Sequence, residues 1–193
     1  MTTIREKKKA STREALLASA QELFLKQGFQ KTTVEEIAEG AVTTKFTFYQ
    51  YFQSKDEVLE ELHTEGIKKA MGGSGVLIEQ GLPLAVVLEQ LVSNFADYYD
   101  ENKDLARMYF SLRRMPLSPV KKADSCLTNL VALLKSGQDS GEFSSEQSAE
   151  DIARYMYMIC YSEKVSWIDS DCSYPLKEKM VSAVKLLLHG LLK

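Results

Sequence analysis

Between Thr33 and Leu62 the chain reads TVEEIAEGAVTTKFTFYQYFQSKDEVLEEL, and its closely spaced capping signals dictate two short helices joined by a tight turn. Thr33 followed three residues on by Glu36 makes a capping box: the hydroxyl accepts one orphan backbone N–H and the carboxylate accepts another. Val34, Ile37, Ala38 and Ala41 then share one face. The run halts at Gly40-Ala41-Val42-Thr43, and Thr43 or Thr44 caps a second helix that buries Phe48 and Phe52. That helix carries Lys45, Thr47, Tyr49, Gln50 and Tyr51, side chains long or polar enough to reach phosphates or base edges. The spacing is that of a helix-turn-helix, whose second helix enters the major groove of DNA.

The flanking sequence stays helical. Ser11 with Glu14 signals a first helix from Thr12 to Gln27, with Leu16, Leu17, Ala20, Leu23 and Phe24 inward and Gly28 at its end. Ser54 with Glu57 opens a fourth helix reaching about Ala70. Met71-Gly72-Gly73-Ser74-Gly75 lacks a phosphate-loop pattern and reads as a flexible joint, which puts a domain boundary near 70–80. Beyond it, apolar residues recur at helical spacing over 84–102, 104–114, 118–137 and 148–169, and in a last helix opened by Pro175. No alternating β-branched run interrupts this pattern. The expected fold is all-α with about nine helices. Residues 1–55 form a three-helix head, helix four (55 to about 70) leads out of it, and 75–193 form a helical body.

Net charge is −3, a poor match to nucleic acid until it is divided along the chain. Residues 1–55 hold nine Lys/Arg against six Asp/Glu, and the rest hold fifteen against twenty-one. A basic head on an acidic body suits a protein that meets phosphate at one end. Lys7-Lys8-Lys9 are either a solvated tail or an arm that follows the DNA backbone. Cys126, Cys160 and Cys172 are odd in number and lack metal-ligand spacing, so a reduced, cytoplasmic protein without a metal is expected. No apolar stretch reaches membrane-spanning length, and the basic N-terminus runs into an amphipathic helix and not a signal sequence. With no G-x-S-x-G elbow, H-E-x-x-H or dinucleotide fingerprint, no enzyme and no cofactor are expected.

Residues 11–62 resemble the N-terminal domain of the TetR family of bacterial repressors. The resemblance is carried by Leu23-Phe24, Gly28-Phe29, Thr32-Thr33-Val34, Ile37-Ala38, the K-x-T-F-Y-x-Y-F block from Lys45 to Phe52, and Ser54-Lys55-Asp56-Glu57. It implies that Thr43, Thr44, Lys45, Phe46 and Thr47 face the groove, with Tyr49 and Tyr51 gripping phosphates beside them. It also implies backbone contacts from Thr33 and Lys55, at helix N-termini whose free N–H groups suit an anion. Lys45 has two readings, guanine or phosphate. Tyr51 divides evenly between contact and core, while Phe48 and Phe52 read as core. Val42 stands where the family usually has glycine, and Phe46 where it often has a small residue. Phe46 either packs on thymine methyls or covers the head's core.

For the body, the resemblance implies a cavity for a small inducer. Phe95, Tyr99, Met108, Tyr109, Met115, Tyr155, Met158 and Trp167 are the candidate lining, with Arg107, Arg113, Arg114, Glu163 and Lys164 as polar groups. This content suits an apolar effector, aromatic or cationic included. Ile152, Met156, Ile159 and Cys160, with Val184, Leu187, Leu188 and Leu191, are the expected contacts of a two-fold homodimer built from the last two helices. The function expected is a ligand-responsive repressor of a palindromic operator. The other class considered is an all-α small-molecule-binding or interaction protein without specific DNA binding.

Overall fold

The computed structural model describes residues 4–72, 74–112 and 125–191. Among these there are ten helices and no β-strand. They are α1 (Ile4–Gln27), α2 (Val34–Gly40), α3 (Lys45–Tyr49), α4 (Lys55–Ala70), α5 (Ser74–Glu79), α6 (Leu84–Glu101), α7 (Lys103–Leu112), α8 (Ser125–Asp139), α9 (Ala149–Asp169) and α10 (Leu176–His189). The helix beyond the expected nine is α5, in and after the glycine-rich joint: the glycine signal is silent about the Val76-Leu77-Ile78 run behind it. The first helix also starts earlier than its capping signal. Ser11 lies inside α1, and the Thr12 hydroxyl donates to the Lys8 carbonyl one turn back at 3.0 Å. Lys7, Lys8 and Lys9 are therefore exposed helical positions. No helix among the described residues is long and apolar enough to cross a membrane.

The chain forms two compact units, Met1–Gly66 with Asp104–Arg113, and Ile67–Lys103 with Arg114–Lys193. The first unit is built on Leu16, Ala20, Phe24, Phe29, Ile37, Phe48, Phe52, Val58 and Leu59, joined by Leu105 from α7. The sequence placed α7 in the body, because sequential order cannot show that a helix folds back onto the head.

In the second unit α6 packs on α10, α10 on α9, α9 on α8 and α8 on α6, a four-helix arrangement. Val87, Leu88, Tyr99, Leu134, Ile152, Met156, Trp167, Met180 and Val184 fill it. Each fully buried side chain of this kind stabilises by roughly 1.5–3 kcal/mol. Gly137 is needed in α8, since a Cβ there would lie 2.3 Å from the ring of buried Phe143. Two helix starts are capped from elsewhere in the unit. Asp100 accepts the N–H groups of Leu176 and Lys177 at 3.2 Å each, and Glu142 accepts that of Ala85 at 3.0 Å.

Candidate nucleic-acid interface

The head presents α3 through a chain of local constraints. Gly28, at φ 85°, ends α1 with its N–H on the Phe24 carbonyl, and lets Phe29 fold back to 5.1 Å from the Phe24 ring. The capping box forms as expected: the Glu36 N–H donates to the Thr33 hydroxyl at 3.2 Å and the Thr33 N–H to the Glu36 carboxylate at 2.8 Å. Ser19 on α1 donates to the Ile37 carbonyl at 2.9 Å, and a Cβ at Gly40 would stand 2.4 Å from the Ser19 oxygen. Helices α1 and α2 approach this closely only because residue 40 has no side chain.

The turn is a Schellman motif. The Val42 N–H donates to Glu39 and the Thr43 N–H to Ala38, both at 2.9 Å, with Val42 held at φ 52°. A β-branched residue in this left-handed region costs about 1–2 kcal/mol, which glycine avoids. Of the two threonines, Thr44 caps α3, accepting the Thr47 N–H at 3.1 Å. At the fourth helix Ser54 accepts the Glu57 N–H at 3.3 Å, but the carboxylate of Glu57 takes the N–H of Gln53, one residue earlier than the box requires.

Phe48 and Phe52 are buried, 5.7 Å apart, and pin one side of α3 to the core. The other side is open: Thr44, Lys45, Phe46 and Tyr49 are exposed, as is Thr33, whereas Thr43 and Thr47 are half-buried. Tyr51 is partly buried against the core. Phe46 is exposed and does not cover the head's core.

Two lysines have partners that periodicity did not foresee. Lys55, read as a backbone contact to DNA, donates instead to the carbonyls of Phe29 at 2.7 Å, Thr32 at 2.8 Å and Gln30 at 3.4 Å, with its ammonium 4.5 Å from the Phe29 ring. All three of its donors are used in tying down the α1–α2 turn. Lys45 pairs with Glu35 of α2 at 2.5 Å on the exposed face. The hydrogen bond from Lys45 holds the Glu35 carboxyl below the usual carboxylate range, and the same bond holds Lys45 above the usual lysine range. A phosphate or guanine that approaches Lys45 meets the Glu35 carboxylate beside it, which competes for the ammonium and repels the phosphate. Glu35→Gln is expected to bind every duplex several-fold more tightly while Glu39→Gln, on the same helix, changes it less. Equal effects in fluorescence anisotropy would mean that general charge and not the pair is responsible.

The proposed effector and dimer residues separate. Tyr99 and Trp167 are fully buried in the second unit with rings 6.2 Å apart, and Phe95 lies 5.0 Å from Tyr99. Lys164 sits 5.4–5.8 Å from the Phe95, Tyr99 and Tyr161 rings. Tyr155 and Met158 are exposed on α9. Met108 and Tyr109 belong to the first unit, against whose core they pack, Tyr109 stacking on buried His63 at 3.8 Å. Met115, Arg113 and Arg114 lie outside the described residues.

Of the expected dimer contacts, Ile152, Met156, Val184, Leu188 and Leu191 are buried within the protomer, while Ile159, Cys160 and Leu187 are half-buried. The stripes on these helices face their own bundle, and periodicity could not distinguish that from a face turned to a partner. Tyr155, Met158 and Leu186 are the large apolar side chains left exposed there. Burial pushes the Cys160 thiol up to about 12, so it stays protonated and unreactive near neutrality.

Known proteins agree with this geometry. Residues 16–62 match the family model described as bacterial regulatory proteins, tetR family. The HTH-type transcriptional regulator YdgC of Bacillus subtilis is 29% identical over 191 residues, spanning 96% of this chain and 95% of that one. The fatty acid metabolism regulator protein of the same organism is 26% identical over 91% and 93% of the two chains. The structure is similar to the Thermus thermophilus repressor FadR in complex with lauroyl-CoA, at 26% identity and a TM-score of 0.69, covering 94% and 95%. The helix-turn-helix of the head matches the TetR family of bacterial transcriptional regulators, and these full-length similarities extend the likeness through the helical body.

Proposed function

We propose that the protein is a homodimeric repressor that reads one half of a near-palindromic operator with each α3 and leaves it when a small apolar effector binds the body. The observation that carries the DNA reading is α3 itself, pinned by Phe48 and Phe52 with Thr44, Lys45, Phe46 and Tyr49 turned outward. A two-fold dimer places two such helices on half-sites about 34–36 Å apart. The exposed Tyr155, Met158 and Leu186 of α9 and α10 support a self-complementary contact between copies. For release, the effector must bind the DNA-incompetent state more tightly than the competent one.

The aromatic cluster of Phe95, Tyr99 and Trp167 in the body supports an apolar effector. The Thermus thermophilus relative, bound to lauroyl-CoA, supports an acyl compound in particular.

Fluorescence anisotropy with the intergenic duplex upstream of the gene tests the repressor reading. Tight, salt-sensitive binding is expected, and Tyr49→Ala should weaken it while leaving the salt slope unchanged, because a neutral hydroxyl releases no counterion. Leu186→Glu should turn a dimer into a monomer in sedimentation and lose operator affinity with it. Binding no stronger than to random duplex would favour an all-α ligand-binding protein without operator recognition, and a wild-type monomer at micromolar concentration would rule out the dimer.

A further inference from the structure

We propose that Val42 and Phe46 form an apolar pair that reads the C5-methyl groups of thymine on the major-groove edge of the half-site. This rests on the DNA-binding reading above and deepens it. Val42 is 94% exposed and Phe46 is 74% exposed, four positions apart on the turn and the first turn of α3. Neither serves the fold. The head's core is filled by Phe48 and Phe52, and the turn would close at less cost with glycine at 42, where the left-handed φ of 52° burdens a β-branched side chain. A strained, exposed valine on the turn and an exposed phenylalanine on the helix it leads into are better explained by what they touch than by what they fold.

The surroundings name the occupant. Exposed Lys45 and Thr44 flank the pair, and residues 1–55, which carry it, are net basic, with nine Lys/Arg against six Asp/Glu. Such a rim favours DNA over an apolar protein surface. Neither side chain has a hydrogen-bonding group, so neither can read the donors and acceptors of base edges. The apolar feature that the major groove offers is the thymine methyl.

Duplexes selected by the protein from a random library provide the test, with each thymine in turn replaced by uracil, which removes the methyl alone. Uracil at one or more positions of each half-site should weaken binding about fivefold, as expected for uncovering one methyl. Phe46→Ala should lose a similar factor on the thymine duplex, cease to distinguish uracil there, and keep its salt slope. Val42→Gly should raise the melting temperature by about 2–4 °C as the turn relaxes, and lose discrimination at another position. Equal binding of thymine and uracil duplexes by the wild type at every position would overturn the proposal and leave DNA binding intact. So would full discrimination by both variants. A library that yields no duplex above random would overturn the DNA-binding reading, and the proposal with it.

Discussion

Phe48→Ala should abolish operator binding and destabilise the head by about 3–5 kcal/mol, the range for truncating a fully buried phenylalanine. Phe48 is completely buried, touches the Phe52 and Tyr49 rings at 5.7 and 5.5 Å, and is the buried residue of the five-residue helix α3. A helix this short has no stability of its own, since nucleation consumes what its few hydrogen bonds return. Its position depends on that anchor. The chain's single tryptophan, Trp167, lies in the other unit and reports on the body separately. Circular dichroism should show an early loss of helix, with Trp167 fluorescence changing only at the wild-type temperature. A variant that still binds operator within a few-fold of wild type would show that α3 is positioned by something other than Phe48.

The second large effect is expected at Lys55. Lys55→Met keeps the aliphatic stem but leaves the Phe29 and Thr32 carbonyls without their ammonium, at a cost of about 2–3 kcal/mol for charged hydrogen bonds of this kind. Those carbonyls bound the segment that leads into the Thr33 cap of α2, so operator affinity should fall as the turn loosens. The salt dependence separates this role from a phosphate contact. A clamp that acts through the turn leaves the slope of affinity against salt unchanged, whereas a lost phosphate contact lowers it by about 1. A lowered slope with unchanged thermal stability would return Lys55 to the DNA-contacting set.

What was legible in the sequence was local. Capping at Thr33 and Thr44, the stop at Gly28 and the burial of Phe48 and Phe52 each depend on residues within a few positions of one another, so order and spacing reveal them. The all-α class and the head follow from the same signals, because a helix's period and its ends are written in adjacent side chains. What the tertiary structure decided was the choice of partner. Lys55 meets carbonyls more than twenty residues away, Asp100 caps a helix 76 positions on, and Leu105 joins the core of the head. The apolar stripes of α9 and α10 announced that they would be buried, but Ile152, Met156 and Val184 went into their own protomer. Hydrophobic burial is non-directional: periodicity shows that a face must leave water, and only the packing of the whole chain determines what covers it.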